Sequence, residues 1–255
     1  MTISRKSFLR GSALAAAAVG LTKAASAEEA KPAAAPAAKP PAMPPPSAIH
    51  FPVLKPNEFD HKKFMATLQQ KKAHKFVFQS VNPHLIIPGL ASLTIHIQNA
   101  LNAGEFSMGW GKGNVAAGAV LYGPSIIFAL NDKMWDKYKI GASYNLKDGA
   151  GNPETKNVYY PAQTNMSWDG DPGAGGNIYQ DWSLEACVKR GTYFHVCHNA
   201  LTAFAGLTAM GMGLEPMAVL TEWKSNMLPG MMVVPAGVGA LHAAQEQGWK
   251  ILPLI

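Results

Sequence analysis

The stretch 190–206, RGTYFHVCHNALTAFAG, decides the fold that the sequence predicts. Residues 192–196 are β-branched or aromatic apart from one histidine, which predicts a short buried strand. Asn199 is a favoured N-cap residue, and the apolar residues that follow it at helical spacing predict a helix. Cys197 therefore falls at the carboxyl end of a strand, just before a helix begins.

The predicted position of Cys197 favours chemistry. Ligands of open α/β sheets bind at the carboxyl edge of the strands, and a helix N-terminus stabilises a thiolate through its free N–H groups and its dipole. A small buried core cysteine is the alternative interpretation. His195 shares a strand face with Cys197 and His198 begins the turn, so either imidazole could exchange a proton with the thiol. We take Cys197, His195 and His198 as candidate catalytic residues, with a hydrogen-bonded core histidine as the alternative for His195.

The second cysteine, Cys187, is predicted to pack in the core. Counting from the turn at Gly191, it lies back by roughly 6 Å along a helix, whereas Cys197 lies out by roughly 20 Å along a strand. A disulfide needs Cα atoms within about 7 Å of each other. The sequence therefore predicts no bridge between them, which leaves a free thiol or a disulfide between chains as the alternatives.

Around this stretch, strands and helices alternate through a single predicted domain, residues 49–255. We predict strands at 75–81, 114–122, 192–196, 231–235 and 249–254, and helices at 57–70, 90–103, 125–138, 182–190, 200–207, 215–227 and 238–247. This order predicts an α/β fold with an open, mainly parallel sheet of about five strands and helices on both faces. Residues 141–181 combine glycine, asparagine, proline and aspartate with scattered aromatic residues. They predict a long flap between the second and third strands, over the site or over a neighbouring subunit.

The order of these elements resembles the DsrE/DsrF-like superfamily of sulfur-relay proteins. The resemblance covers residues 75–254 outside the flap, and its motifs are xRGxxFxVCxNAL, PGMMVVPAG, VGALHAAQEQG and WKILPL. In the sulfur-transferring members such a cysteine carries a persulfide, and the matching residue here is Cys197. The resemblance also implies a homo-oligomer, a trimer or a hexamer, and a sulfur-donor or sulfur-acceptor protein as a partner.

Residues 1–27 resemble a cleaved twin-arginine export signal. A basic segment at 4–10 precedes an alanine-rich run, and Ala-Ser-Ala at 25–27 fits a cleavage site. Lys6 stands where the second arginine is expected, so the ordinary secretory route is the alternative. The run is too short and too weakly apolar for a stable membrane span. Residues 28–48 are mostly alanine, proline and lysine and predict a disordered linker, so we expect a periplasmic or otherwise exported protein.

Charge and the missing motifs exclude several functions. Removing the four basic residues of the leader from the 22 in the chain leaves 18, against 16 acidic residues. This balance, with no basic stripe, makes nucleic acid an improbable partner. The sequence contains no GxSxG nucleophile elbow, no glycine-rich phosphate loop and no CxxCH haem motif. We therefore predict no hydrolase, and we assign no cofactor or metal.

Together these patterns predict an exported protein that handles sulfur or thiol redox equivalents through Cys197. A non-catalytic small-ligand or metal-binding module that uses the same sheet edge is the alternative. A purely structural subunit of an oligomer is a third interpretation. Whether the protein is an enzyme stays open at this stage.

Overall fold

A five-stranded parallel sheet organises residues 53–254, the part of the chain that the computed structural model describes. The predicted export signal and the linker, residues 1–48, lie outside the described residues. The strands are β1 (His74–Ser80), β2 (Leu85–Ile87), β3 (Leu90–Ala91), β4 (Val115–Leu121), β5 (Tyr193–Cys197), β6 (Met231–Val234) and β7 (Lys250–Leu254). The main sheet has the order β6-β5-β4-β1-β7 with every neighbouring pair parallel, and β2 and β3 form a separate antiparallel hairpin.

Helices connect the strands of this sheet. The α-helices are α1 (His61–Leu68), α2 (Ser92–Asn102), α3 (Asp132–Lys137), α4 (Ile140–Ser143), α5 (Leu184–Lys189), α6 (His198–Met212), α7 (Pro216–Ser225) and α8 (Gly237–Glu246). Short 3-10 helices occupy Pro56–Glu58, Gly123–Ala129 and Ile178–Gln180, and a π-helical turn, Ala103–Ser107, extends α2. Between residues 53 and 254, no helix combines the length and the hydrophobicity that crossing a bilayer requires.

The two faces of the sheet bury different residues because side chains alternate along each strand. On one face Val120 and Tyr193 pack in a cluster with side chains of α1 and α8. On the other face Leu121 and Phe194 pack in a larger cluster with side chains of α2, α5 and α6. All of β4 is buried, as expected for a parallel strand that helices cover on both sides. The predicted α/β class, with a mainly parallel sheet of five strands and helices around it, is confirmed.

Gly118 of β4 allows an aromatic ring of the neighbouring strand to lie over its backbone on one face of the sheet. It lies opposite Tyr193 in the register, and a Cβ atom added to it would lie 2.1 Å from Cζ of that tyrosine. The ring therefore occupies space that any other residue at position 118 would fill. The same tyrosine ring meets Trp249 edge-on, with 4.9 Å between the ring centroids.

The predicted single helix over 125–138 is wrong. A 3-10 helix, Gly123–Ala129, covers the first part of this range, the next residue, Leu130, is extended, and α3 begins only at Asp132. Asn131 caps α3 by accepting the N–H of Met134, so a strong N-cap residue divides the region into two elements. Ser125, the first residue of the predicted helix, is buried and donates its hydroxyl to backbone carbonyls.

Buried polar residues hold the long segment 141–181 against the domain. The carboxylate of Asp181 is fully buried and accepts the backbone N–H groups of Gln163 and Thr164, each at 2.8 Å. Asn157 is also buried and donates to the carbonyl of Phe128 at 3.1 Å. These bonds give the segment a defined path, while its role as a flap stays a prediction.

A buried arginine joins this segment to α2. Arg190 follows α5, and its guanidinium donates to Gln98, to Asn102 at 2.6 Å and to the carboxylate of Glu105 at 2.9 Å. Its side chain is 2% exposed, and it lies 5.1 Å from the centroid of the Tyr179 ring. One charged group therefore joins four elements: α5, α2, the π-helical turn and the 3-10 helix Ile178–Gln180.

Candidate functional site

The five parallel strands end at one edge of the sheet, and Cys197 is the last residue of β5 there. Its backbone is extended, and α6 begins at the next residue, His198. Its Sγ accepts the backbone N–H of Ala200 at 3.4 Å. The cysteine sulfur is therefore the N-cap of α6. The prediction that Asn199 caps this helix is wrong, because α6 starts earlier and places Asn199 in its first turn.

Cys197 lines an open groove with a volume of about 330 Å³. Tyr122, the residue after β4, supplies one wall, and the first two turns of α6 supply another through Ala200 and Phe204. The start of α8 closes the third side. Residues 141–181 do not line this groove, so among the described residues the predicted flap forms no part of it.

The N-terminus of α8 points to the same groove as that of α6. Its cap residue, Ala236, bonds no first-turn N–H through its side chain, so these donors stay free of a side-chain cap. A Cβ atom on Gly237 would lie 3.0 Å from ring atoms of Tyr122, so a glycine lets the helix start against the ring. The hydroxyl of Tyr122 accepts a hydrogen bond from the amide of Gln79. Two helix N-termini and the ring of Tyr122 therefore border the groove that Cys197 lines.

The two cysteines differ in their surroundings. Both are free thiols, in agreement with the predicted absence of a bridge. Cys187 is fully buried in the larger core cluster, and this burial raises its pKa to about 12. Cys197 is 6% exposed and opens onto the groove. Since the thiolate is the nucleophilic form, Cys187 is an inert core residue at neutral pH.

His195 makes its hydrogen bond to α1. Its Nε2 lies 2.9 Å from the hydroxyl oxygen of Thr67, and that hydroxyl donates its proton to the carbonyl of Phe64 at 2.7 Å. Because a threonine hydroxyl has one proton, its oxygen must accept from the imidazole, which places the ring proton on Nε2. The remaining nitrogen, Nδ1, has no hydrogen-bond partner among residues 53–254.

The surroundings of His195 keep its ring neutral. The imidazole lies 4.3 Å from the ring centroid of Tyr193 and 5.0 Å from that of Phe64, and it is fully buried. This burial lowers the pKa of His195 to about 3. Near neutral pH His195 therefore supplies no positive charge to Cys197. Its geometry matches the alternative interpretation of a hydrogen-bonded core histidine.

His198 lies at the first position of α6 and is also buried. Its carbonyl accepts the hydroxyl of Thr202 at 2.9 Å. The pKa of Glu58 lies below its ordinary value, chiefly because the N–H of Lys55 donates to it, with smaller contributions from Lys224 and His198. The carboxylate of Glu58 is therefore within electrostatic range of His198, and His198 is the residue that follows Cys197.

Backbone dipoles contribute to the electrostatics of the groove. Its lining contains no Asp, Glu, Lys or Arg side chain. Across residues 53–254, no three His, Cys, Asp or Glu side chains come together as a metal site. The N-terminal dipoles of α6 and α8 favour a negatively charged group on Cys197.

Sequence reasoning missed three residues of this site: Tyr122, Gln79 and Gly237. Tyr122 directly follows β4, and Gln79 lies next to the end of β1. Because the carboxyl ends of parallel strands share one edge, these positions could have been grouped with Cys197. The close approach of Gly237 to the tyrosine ring had no signal in the sequence.

The described residues thus form an α/β domain with a thiol at the carboxyl edge of its sheet. No family model matches the chain, and comparison with the curated proteins gives no match. Among the solved structures, the chain is similar to a protein of unknown function, MTH1491, from Methanobacterium thermoautotrophicum. The identity is 15% over 70% of this chain and 95% of that chain, with a TM-score of 0.31.

Proposed function

We propose that this chain is an exported, DsrE-like thiol protein in which Cys197 accepts sulfur or an oxidising equivalent. One observation carries the proposal: the sulfur of Cys197 caps α6 and opens onto a groove that two helix N-termini border. Export is supported by the leader pattern at 1–27, and likeness to the sulfur-relay superfamily is supported by the motifs around Cys197.

The sulfur step that we propose is a persulfide exchange without net oxidation. The Cys197 thiolate attacks the terminal sulfur of a donor persulfide, R–S–SH. A sulfur–sulfur bond forms on Cys197 while that of the donor breaks, and the donor leaves as R–S⁻ with the bonding electron pair. The released thiolate takes up the proton that Cys197 lost, so a thiol and a persulfide give a persulfide and a thiol.

The local structure favours this step in a modest way. The N–H of Ala200 already bonds the sulfur at 3.4 Å, and a helix dipole stabilises a nearby negative charge by about 0.3–1 kcal/mol. The groove is open on one side, so a donor sulfur can approach. Since His195 is neutral near pH 7, the proposal assigns negative-charge stabilisation to the helix termini, with His198 as the neighbouring candidate for proton transfer.

The test is the intact mass of the reduced full-length chain after incubation with glutathione persulfide. We expect the mass to rise by one sulfur atom in the parent and in Cys187→Ser, and to stay unchanged in Cys197→Ser. Circular dichroism should show that both variants are folded. Addition of sulfur to Cys197→Ser and not to Cys187→Ser would reverse the assignment of the two thiols.

The groove also supports a second candidate, a non-catalytic small-ligand module. Its volume of about 330 Å³ lies at the lower end of the range for small-molecule pockets, and its lining is mostly apolar. Native mass spectrometry separates the two functions. A ligand that stays bound to Cys197→Ser favours the binding module, whereas an adduct that disappears with this substitution favours thiol chemistry.

A further inference from the structure

Asn199 brings a polar side chain to the groove around Cys197. It lies in the first turn of α6, two residues after the cysteine, and it is half-buried. Asn199 and Ala203 are four residues apart on one face of the helix, and both line the groove. Within the described part of the chain, the side-chain amide of Asn199 makes no hydrogen bond. The groove therefore contains an NH2 group and a carbonyl oxygen that the fold does not use.

The fold leaves this amide free because the sulfur of Cys197 takes the capping role. An asparagine at the start of a helix usually caps it by accepting a backbone N–H group. Here the sulfur accepts the N–H of Ala200 at 3.4 Å, and Asn199 lies inside the helix. The third polar side chain of the lining, Tyr122, already accepts a hydrogen bond from Gln79. With no neighbour to fix its orientation, the amide of Asn199 can turn its NH2 group into the groove.

We propose that the NH2 group of Asn199 binds the outer sulfur of the persulfide on Cys197, an inference that rests on the proposed function. The outer sulfur lies about 2 Å beyond Sγ, the length of a sulfur–sulfur bond. The N–H of Ala200 bonds the inner sulfur, so the outer sulfur needs a donor of its own in the groove. Asn199 supplies this donor from the same turn of α6. The group that the site recognises is then the transferable sulfur itself, which every persulfide donor shares.

The same contact stabilises the transfer step. As the Cys197 thiolate attacks, its negative charge spreads over the transferred sulfur and the leaving R–S⁻. A hydrogen-bond donor next to the transferred sulfur stabilises this charge, as the donors of an oxyanion hole stabilise a developing oxyanion. The groove lining contains no Lys or Arg side chain that could do this instead. Asn199 is therefore assigned as a catalytic residue, because it touches a reacting atom.

Two rate measurements on the full-length chain test this assignment. Time courses of intact mass with glutathione persulfide measure sulfur uptake, and iodoacetamide alkylation measures the reactivity of the thiolate alone. Every chain carries Cys187→Ser, so that only Cys197 reacts. Asn199→Ala should slow sulfur uptake about tenfold, the loss of about 1.4 kcal/mol expected for one hydrogen bond to a charged group. Its alkylation rate should stay unchanged, because the N–H of Ala200 still bonds the sulfur.

A second variant separates the role of the amide in sulfur transfer from any role in folding. Asn199→Asp replaces the NH2 group by a carboxylate oxygen of nearly the same size. An acidic residue in the first turn favours a helix, so the midpoint of urea unfolding should not fall. Sulfur uptake should nevertheless be slower than in Asn199→Ala, because the carboxylate repels the outer sulfur. Asn165→Ala is the matched control, since Asn165 is exposed and does not line the groove, and it should keep both rates of the parent.

Two outcomes would overturn the assignment of Asn199. One is sulfur uptake at the rate of the parent in Asn199→Ala and Asn199→Asp, with both variants folded by circular dichroism. The other is an equal slowing of sulfur uptake and of alkylation in Asn199→Ala, which would mean that Asn199 acts on the thiolate and not on the transferred sulfur. A parent chain that takes up no sulfur would instead contradict the proposed function, and the role of Asn199 would fall with it.

Discussion

The buried imidazole of His195 should make this domain sensitive to mild acid. Its pKa in the folded chain is about 3, whereas an exposed histidine in the unfolded chain titrates near 6.5. Below about pH 6.5 the unfolded chain binds a proton that the folded chain does not. The stability that His195 contributes is therefore complete above this pH and is lost as the pH falls toward 3.

The magnitude follows from the proton linkage. Each pH unit below 6.5 costs about 1.4 kcal/mol, so the free energy of unfolding should fall by about 2 kcal/mol between pH 7 and pH 5 from this group alone. The carboxylates with lowered pKa values, Glu58 and the partly exposed Glu222, titrate mainly below pH 5 and contribute little in this window.

Urea unfolding of the full-length chain at pH 7, 6 and 5 measures this loss. His195→Gln should remove most of the decrease, even though it destabilises the domain at every pH by altering the bond to Thr67. His242→Gln is the control, because the side chain of His242 is 73% exposed and it should keep the decrease of the parent. A decrease of the same size in His195→Gln and in the parent would refute the reasoning.

Three further predictions concern the core and the leader. Replacing Arg190 by methionine should lower the free energy of unfolding by about 3–5 kcal/mol in urea titration, because the mostly buried carboxylate of Glu105 is then left without its counter-charge. Gly118→Ala should cost about 1–3 kcal/mol or more in the same assay, since its Cβ atom enters the ring of Tyr193. The double variant Arg5→Lys with Lys6→Gln should abolish export, whereas Lys6→Arg should not. Cell fractionation measures the export, and normal export of the double variant would contradict a twin-arginine signal.

The sequence predicted those elements in which a simple pattern of residues indicates burial. The continuous apolar run of β4 and the β-branched and aromatic residues of β5 identified two buried strands, and Gly248 marked the end of the last helix. The placement of Cys197 at the carboxyl edge followed from these two patterns. No long-range information was needed for it.

Other features depended on competition that local patterns do not resolve. Two cap candidates lie within three residues, and the sulfur of Cys197 wins over the amide of Asn199 because β5 ends directly at α6. Two helices replaced one at 125–138 because Asn131 caps the second. The neutral state of His195 depends in part on the ring of Phe64 in α1, which is distant in sequence, so the local pattern around His195 could not indicate it.

The most direct test of the central claim is the intact mass of the protein purified from its native compartment without reductant. Peptide mapping would then place any added atoms on one of the two cysteines. If Cys197 accepts sulfur in the cell, part of the protein should carry one extra sulfur atom on Cys197 and none on Cys187. A chain whose Cys197 is always an unmodified thiol, even after exposure to a persulfide donor, would contradict the proposal.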